Sequence, residues 1–439
     1  MYKIGQGVYP SDCESAGVEV GADRTLNCLV DSEGFCISVS WDDISYTATN
    51  ESLTPVEGSC TLPTFIPDTQ IGQMVASDGA SDDNYGHSVS ISGDTAIIGA
   101  PFDDDQGDFS GSAYIFTRSG GSWTQQTKLT EGVWGPGNRF GISVAISGDT
   151  AIVGVVNDDE FGTDSGSAYV YTRSGSSWTQ QAKLNASDAA ASDRFGTNVS
   201  IHEDTVIVGA YTDDDKGTDS GSAYIFTRSG SSWTEEAKLT ASDGTSSERF
   251  GEEVALFGDT AIVGVPRSYG DGGGALTGSA YIFTRSGGSW SQQAKLTKNG
   301  AATYDHFGSS IDLSEETAII GSNGNSAAYI FTRSGGTWTE QDELISSDGA
   351  SNNFGYSVAL SGNTAVIGAH LDGANGPGAA YVFTRSGSEW SQQSKLELGT
   401  PYPFTDDYFG INLDMSGDTA IIIANGPYGS SANIFQPSL

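Results

Sequence analysis

Apolar and polar positions alternate in short runs along most of this chain, and the runs come in sets of four. In one stretch they are Ser143 to Ile146, Thr150 to Gly154, Ser167 to Thr172 and Trp178 to Leu184. Their β-branched and aromatic content suits half-buried strands, and no segment carries the 3.6-residue period of a helix of consequence. In the last run, strict alternation puts Trp178, Ala182 and Leu184 on one face and Thr179, Gln181 and Lys183 on the other. Gly148 and Gly175 lie in the two short connections, where tight hairpins call for glycine.

The set recurs behind an aromatic-Gly pair: Tyr85-Gly86, Phe140-Gly141, Phe195-Gly196, Phe250-Gly251, Phe307-Gly308, Phe354-Gly355 and Phe409-Gly410. The glycines are spaced by 55, 55, 55, 57, 47 and 55 residues. Four antiparallel strands repeated seven times predict an all-β fold, a seven-bladed β-propeller with one sheet per blade. A β-solenoid is the alternative, but a four-strand meander is too long for one solenoid coil. The fourth strand carries a tryptophan six times, at Trp123, Trp178, Trp233, Trp290, Trp338 and Trp390, and the seventh copy ends without one. Gln70 to Gly79 resembles the end of a fourth strand, Gln181 to Asp188. The chain is therefore expected to divide into an N-terminal extension, residues 1–64, and a propeller, residues 65–439, whose last blade takes its fourth strand from the N-terminal side. Closure would remove a free sheet edge. The same strand given to a neighbouring molecule would make a polymer.

The run Phe140-Gly141, Val144 to Ile146, Ile152-Val153-Gly154, with Gly99-Ala100-Pro101 in the first copy, resembles the FG-GAP repeat. That repeat builds the propellers of integrin α-subunits and of many bacterial and algal extracellular proteins. The resemblance spans residues 65 to 439 and implies the propeller and an extracellular setting; about the activity it implies much less. Integrin-like repeats often hold calcium in a loop of alternating aspartates between the first two strands. Here that connection is Ser-Gly-Asp-Thr, at 92–95 and 147–150, too short to wrap an ion. The family's calcium ligands are not carried over.

Composition narrows the function. The 439 residues have a formal charge of −37. That argues against nucleic acid and anionic membrane surfaces, and favours solubility, cation binding or a saline environment. No apolar run is long enough to span a bilayer. All four cysteines, Cys13, Cys28, Cys36 and Cys60, lie ahead of the repeats, where two disulfides and an oxidising compartment are expected. No Cys-x-x-Cys pair or nearby histidine favours a metal there. The stretch Phe35 to Trp41 reads as a strand in need of a packing surface. The sequons at Asn50, Asn185 and Asn198 fit secretion and glycosylation. Met1 to Pro10 lacks the apolar core of a signal peptide, so an extracellular protein is expected to have its true N-terminus elsewhere.

In an up-and-down blade the charges segregate. Arg118, Arg173, Arg228, Arg285, Arg333 and Arg385 follow the third strands on one face, while acidic loops crowd the other. Two discs stacked by charge are one expectation. The acidic loops between second and third strands are candidate calcium sites: Asp103, Asp104, Asp105 and Asp108; Asp158, Asp159 and Asp164; Asp213, Asp214, Asp215 and Asp219. Oxygen-rich loops suit calcium, although consecutive aspartates diverge; a solvated acidic loop is the rival reading. Trp134 stands in a loop where other copies have Ser or Ala, so it is a candidate for stacking on a sugar or a partner. No catalytic constellation stands out. The histidines His87, His202, His306 and His370 occupy no shared repeat position, and Thr163 to Ser167 reads as turn chemistry. The expected function is non-enzymatic: a secreted structural or adhesive protein, self-assembling through its N-terminal extension into a homo-oligomer or filament. The alternative is a monomeric calcium-dependent module that binds a glycan or a protein; an enzyme is a distant third.

Overall fold

The computed structural model describes residues 68–132, 135–268, 276–300, 302–349, 353–372, 377–398, 407–426 and 429–436, together with three strands nearer the N-terminus. The chain divides into two compact units, Met1–Phe65 and Ile66–Leu439. In the first, Tyr2–Ile4, Leu26–Val30 and Cys36–Ile37 form a three-stranded antiparallel sheet. Cys28 and Cys36 fall in these strands; Cys13, Cys60, Asn50 and Trp41 lie outside the described residues, as does Trp134.

The second unit holds seven four-stranded antiparallel sheets, a seven-bladed propeller. The second blade is Phe140–Ser147, Thr150–Val155, Ser167–Ser174 and Ser177–Leu184. In the seventh blade Gly429–Gln436 pairs with Thr69–Met74 of the same chain. Second strands such as Thr150–Val155 are buried at every residue. Neighbouring sheets cover both of their faces, which is why they read as unbroken apolar runs rather than alternating ones. Phe140 wedges between blades one and two: it packs with Ile115 and Leu129 of one and meets the rings of Tyr169 and Tyr171 of the other, at 5.8 and 6.2 Å. Gly141 turns behind it at φ +89°, and a Cβ there would strike the carbonyl of Ser112.

The first strands line a central channel of about 1060 Å³. Consecutive blades are laced along it. Ser143 Oγ donates to the Gly196 carbonyl, and Ser147 Oγ accepts from the Glu203 amide. Asp414 Oδ2 accepts from the Ile91 amide at 2.8 Å, joining blade seven to blade one. Asp312 does the same for Leu360 at 2.6 Å, from blade five to blade six.

Two expectations change. Strict alternation fails in the fourth strands. A bulge displaces the register between Tyr171↔Gln180 and Val170↔Ala182, with Gln181 the extra residue, and the same shift recurs in all seven blades. Trp178 therefore shares a face with Lys183, and Ala182 and Leu184 turn to the other. The arginine face is also not a positive face. Arg118, Arg173, Arg228 and Arg333 pair with Asp94, Asp149, Asp204 and Glu316 of the first hairpin in the same blade. Arg173 also donates to Thr95 of the preceding blade and lies over the Trp178 ring. Those four charges are paired within their own blades, whereas Arg385 donates to the neutral Asn363 and Thr317.

Candidate functional site

The loops of the acidic face are built from the ends of the second and third strands. Each begins with a buried aspartate: Asp103, Asp158 and Asp213 in blades one to three, and Asp372 in blade six. The third strand brings a tyrosine beneath it. Tyr114 donates to Asp103 at 2.8 Å, Tyr224 to Asp213 at 2.8 Å and Tyr381 to Asp372 at 2.7 Å. In blade two Tyr169 reaches Glu131 instead, and Ser167 donates to Asp158. The bulged fourth strand completes the group, because the bulge brings its lysine to the tyrosine face. Lys128 meets Asp103 and Asp105 at 2.7 and 2.6 Å, and Lys183 meets Asp158 and Glu160 at 2.7 and 2.6 Å. Lys238 meets Asp213 at 2.9 Å and also Asp215, while Lys395 meets Asp372 at 2.7 Å. Each lysine lies over its tyrosine ring, 5.2 to 5.5 Å from the centroid.

The inter-blade loop adds a further acid: Asp78 to Lys128, Asp188 to Lys238, Asp243 to Lys295 and Asp348 to Lys395. Burial alone would raise the Asp158 and Asp188 carboxyls. Lys183 with the Glu160 amide, and Lys238 with the Tyr224 hydroxyl, outweigh it and hold both below the ordinary aspartate value. Burial, and then the charge of Asp213, pushes the Tyr224 hydroxyl far up, so it remains a donor.

The predicted calcium residues do not come together as one site; they are distributed over three equivalent loops. Asp104, Asp108, Asp159 and Asp214 are exposed. Asp159 and Asp214 accept the amides of Asp164 and Asp219, both at 2.8 Å, and the latter two residues are left-handed at φ +54° and +53°. Among the described residues, one set of carboxylates converges closely enough to hold a metal: Asp188, Asp213 and Asp215. That point is already filled by the Lys238 ammonium, which bonds all three. Calcium wants six to eight oxygens, and a second cation beside Nζ would be repelled. As arranged, the residues fit an ammonium and not calcium.

Asn185 is half-buried; Asn198 is on the channel wall with both amide atoms engaged, to Glu253 and the Val254 amide, which does not suit a glycan.

Other loop-face residues carried no signal in isolation. The residue ahead of each aromatic-Gly pair is left-handed in every blade: Asn84, Arg139, Arg194, Arg249, His306, Asn353 and Tyr408. Arg139 lies over Phe102, and Arg194 and Arg249 both lie over Tyr211. Phe109, whose carbonyl accepts the Arg139 amide, and Phe161 of the second blade's loop are 54% and 50% exposed. Only comparison of the seven copies in register would have found this position.

The fold and the loop face define a β-propeller that presents folded, charged and aromatic loops on one side. The FG-GAP repeat matches the chain at residues 69–116, 123–171, 178–226, 233–283, 290–334 and 338–383, well over half of its length, so the chain belongs to the FG-GAP repeat family. Each matched unit starts in one fourth strand and ends in the next third strand. No curated protein matches the chain. Among the described residues no helix is long and apolar enough to cross a membrane.

Proposed function

We propose that the protein is a non-enzymatic binding or adhesion module acting outside the cell, and that it holds a protein partner against the loop face of blades one to four. Membership of the FG-GAP family supports a binding role, since propellers of this kind commonly take protein ligands. One observation carries the choice of face. Exposed Phe109 and Phe161 stand among the exposed carboxylates of Asp104, Asp159 and Asp214 and the ring-stacked guanidiniums of Arg194 and Arg249. Aromatic and arginine side chains on rigid loops are what protein interfaces favour. The excess of acid selects a partner with a basic surface.

The test is capture of extracellular proteins and of a glycan array by the purified chain, repeated with Phe109→Ala/Phe161→Ala and with Asp104→Asn/Asp159→Asn/Asp214→Asn. Binding lost in both variants, at an unchanged unfolding temperature, supports the reading. Binding that survives both variants moves the contact elsewhere.

Self-assembly through residues 1–64 is the second reading, favoured by their separate strand-bearing unit. Electron microscopy with and without EDTA tests it: ordered oligomers support assembly, and isolated discs in both samples remove it.

A further inference from the structure

The seven blades are a variation series within one molecule, and the loop acid occurs in it only where the fourth strand carries the lysine. Blades one, two, three and six have both: Lys128 with Asp103, Lys183 with Asp158, Lys238 with Asp213, and Lys395 with Asp372. Blade four has Ser268 in place of the aspartate, its hydroxyl 2.7 Å from Ser279, and Lys295 turns to Asp243 of the inter-blade loop. Blade five has a shortened loop, with Glu343 paired to Tyr329 where the lysine would be. Blade seven has Gln73 there, bonded to Asn433. Neither of these two blades has the loop aspartate.

We propose that these lysines are the resident cations of the acidic loops. Each ammonium stands where a cation would be drawn, holding the carboxylates of the loop between second and third strands, and in blades one, three and six it also ties that loop to the adjoining inter-blade loop. The propeller is then folded and competent without calcium. The site is clearest at Lys238, where Asp188 of the inter-blade loop and Asp213 and Asp215 of the blade loop converge on one Nζ. The group is held by more than charge. The Tyr224 hydroxyl bridges Asp188 and Asp213, at 2.9 and 2.8 Å, and its ring lies 5.2 Å from the ammonium. Removing the lysine leaves three carboxylates facing one another around a space of cationic preference, where a divalent ion should enter.

The experiment uses the full chain, CaCl2 as the probe, MgCl2 as control and EDTA as the reference. Thermal unfolding and titration calorimetry are run on the wild type, Lys238→Met and Lys238→Met/Asp213→Asn. The wild type is expected to unfold at one temperature in EDTA and in calcium, and to give no saturable heat. Lys238→Met should unfold earlier in EDTA, regain part of the loss in calcium with near one-to-one saturation, and lose that response when Asp213 is also changed. The proposal is overturned if the wild type binds calcium saturably and is stabilised by it through Asp213. It is equally overturned if Lys238→Met unfolds like the wild type, or loses stability without acquiring a calcium response. Should Lys238→Met fail to fold, Lys238→Gln is read in the same way, and the wild-type comparison still decides.

Discussion

At the scale of single residues, the repeat is set by backbone conformations that few side chains accept. Gly141 sits at φ +89° with the Ser112 carbonyl where a Cβ would be, whereas Gly148, at φ +56°, faces open space. Gly141→Ala should therefore cost more than about 3 kcal/mol, from strain and displaced backbone together. Gly148→Ala should cost only about 1 kcal/mol for the left-handed turn. Chemical unfolding of the two variants checks this, and equal losses would mean that the close approach of blades one and two is not what demands the glycine. Left-handed residues recur just ahead of it: Arg139, Arg194 and Arg249 accept that conformation without being glycine. Strain of this kind is held where the surroundings over-determine it, and here it lifts the guanidiniums to the loop face.

At the scale of one element, the fourth strand does most to make the candidate site. Its bulge lets Trp178 face the Arg173 guanidinium while Lys183, further along, reaches Asp158. Without the bulge these two residues would lie on opposite faces. Deleting Gln181 leaves Trp178 and Lys183 four positions apart on one face of a regular strand, so both should keep their partners and the loss should stay close to that of Gln181→Ala. Gln181→Ala keeps the bulge and removes only the bond from the Trp233 indole, 2.7 Å long, a loss of about 1 kcal/mol. Denaturant midpoints for the two variants separate these effects. A much lower midpoint for the deletion would mean that the bulge contributes more than the facing of these two side chains.

At the scale of the whole molecule, the channel wall holds carboxylates whose ionisation burial opposes. Burial pushes Asp312 up to about 7, with the Asp414 charge adding to it; Asp414 itself is pushed to about 6 by burial. Glu253 is pushed to about 8 by burial and then by Glu252. These folded-state values lie above the unfolded ones, so the groups oppose folding while ionised and stop doing so once protonated. Lowering the pH from about 8 to about 5.5 should therefore raise the unfolding temperature. Asp158, Asp188 and Asp243 are held below their ordinary value, and their contribution is lost only as the pH falls through that lower range. Thermal unfolding across this window, for the wild type and Asp312→Asn/Asp414→Asn, tests the assignment. The double variant should have the flatter profile, and an unchanged slope would remove these two carboxylates from the account.

Period, strand count, blade number and the placing of the aromatic-Gly pairs were all legible in the amino-acid sequence. Each depends on local preference repeated seven times, and repetition averages away local ambiguity. The acidic loops were legible as well, because consecutive aspartates are visible without a fold. What they do was not. Lys183 and Asp158 are 25 residues apart, and simple alternation assigns the lysine to the wrong face. Only the bulge, the hairpin register and the tyrosine beneath them bring ammonium and carboxylate together. The arginines were legible too, but their neutralisation by Asp94 and Asp149 was not, since those partners meet through antiparallel pairing of strands and not through spacing. Sequence alone determined the architecture, because burial periodicity is a one-dimensional signal. The tertiary structure decided which charges are spent and which remain for a partner, because that depends on distances only the packed blades define.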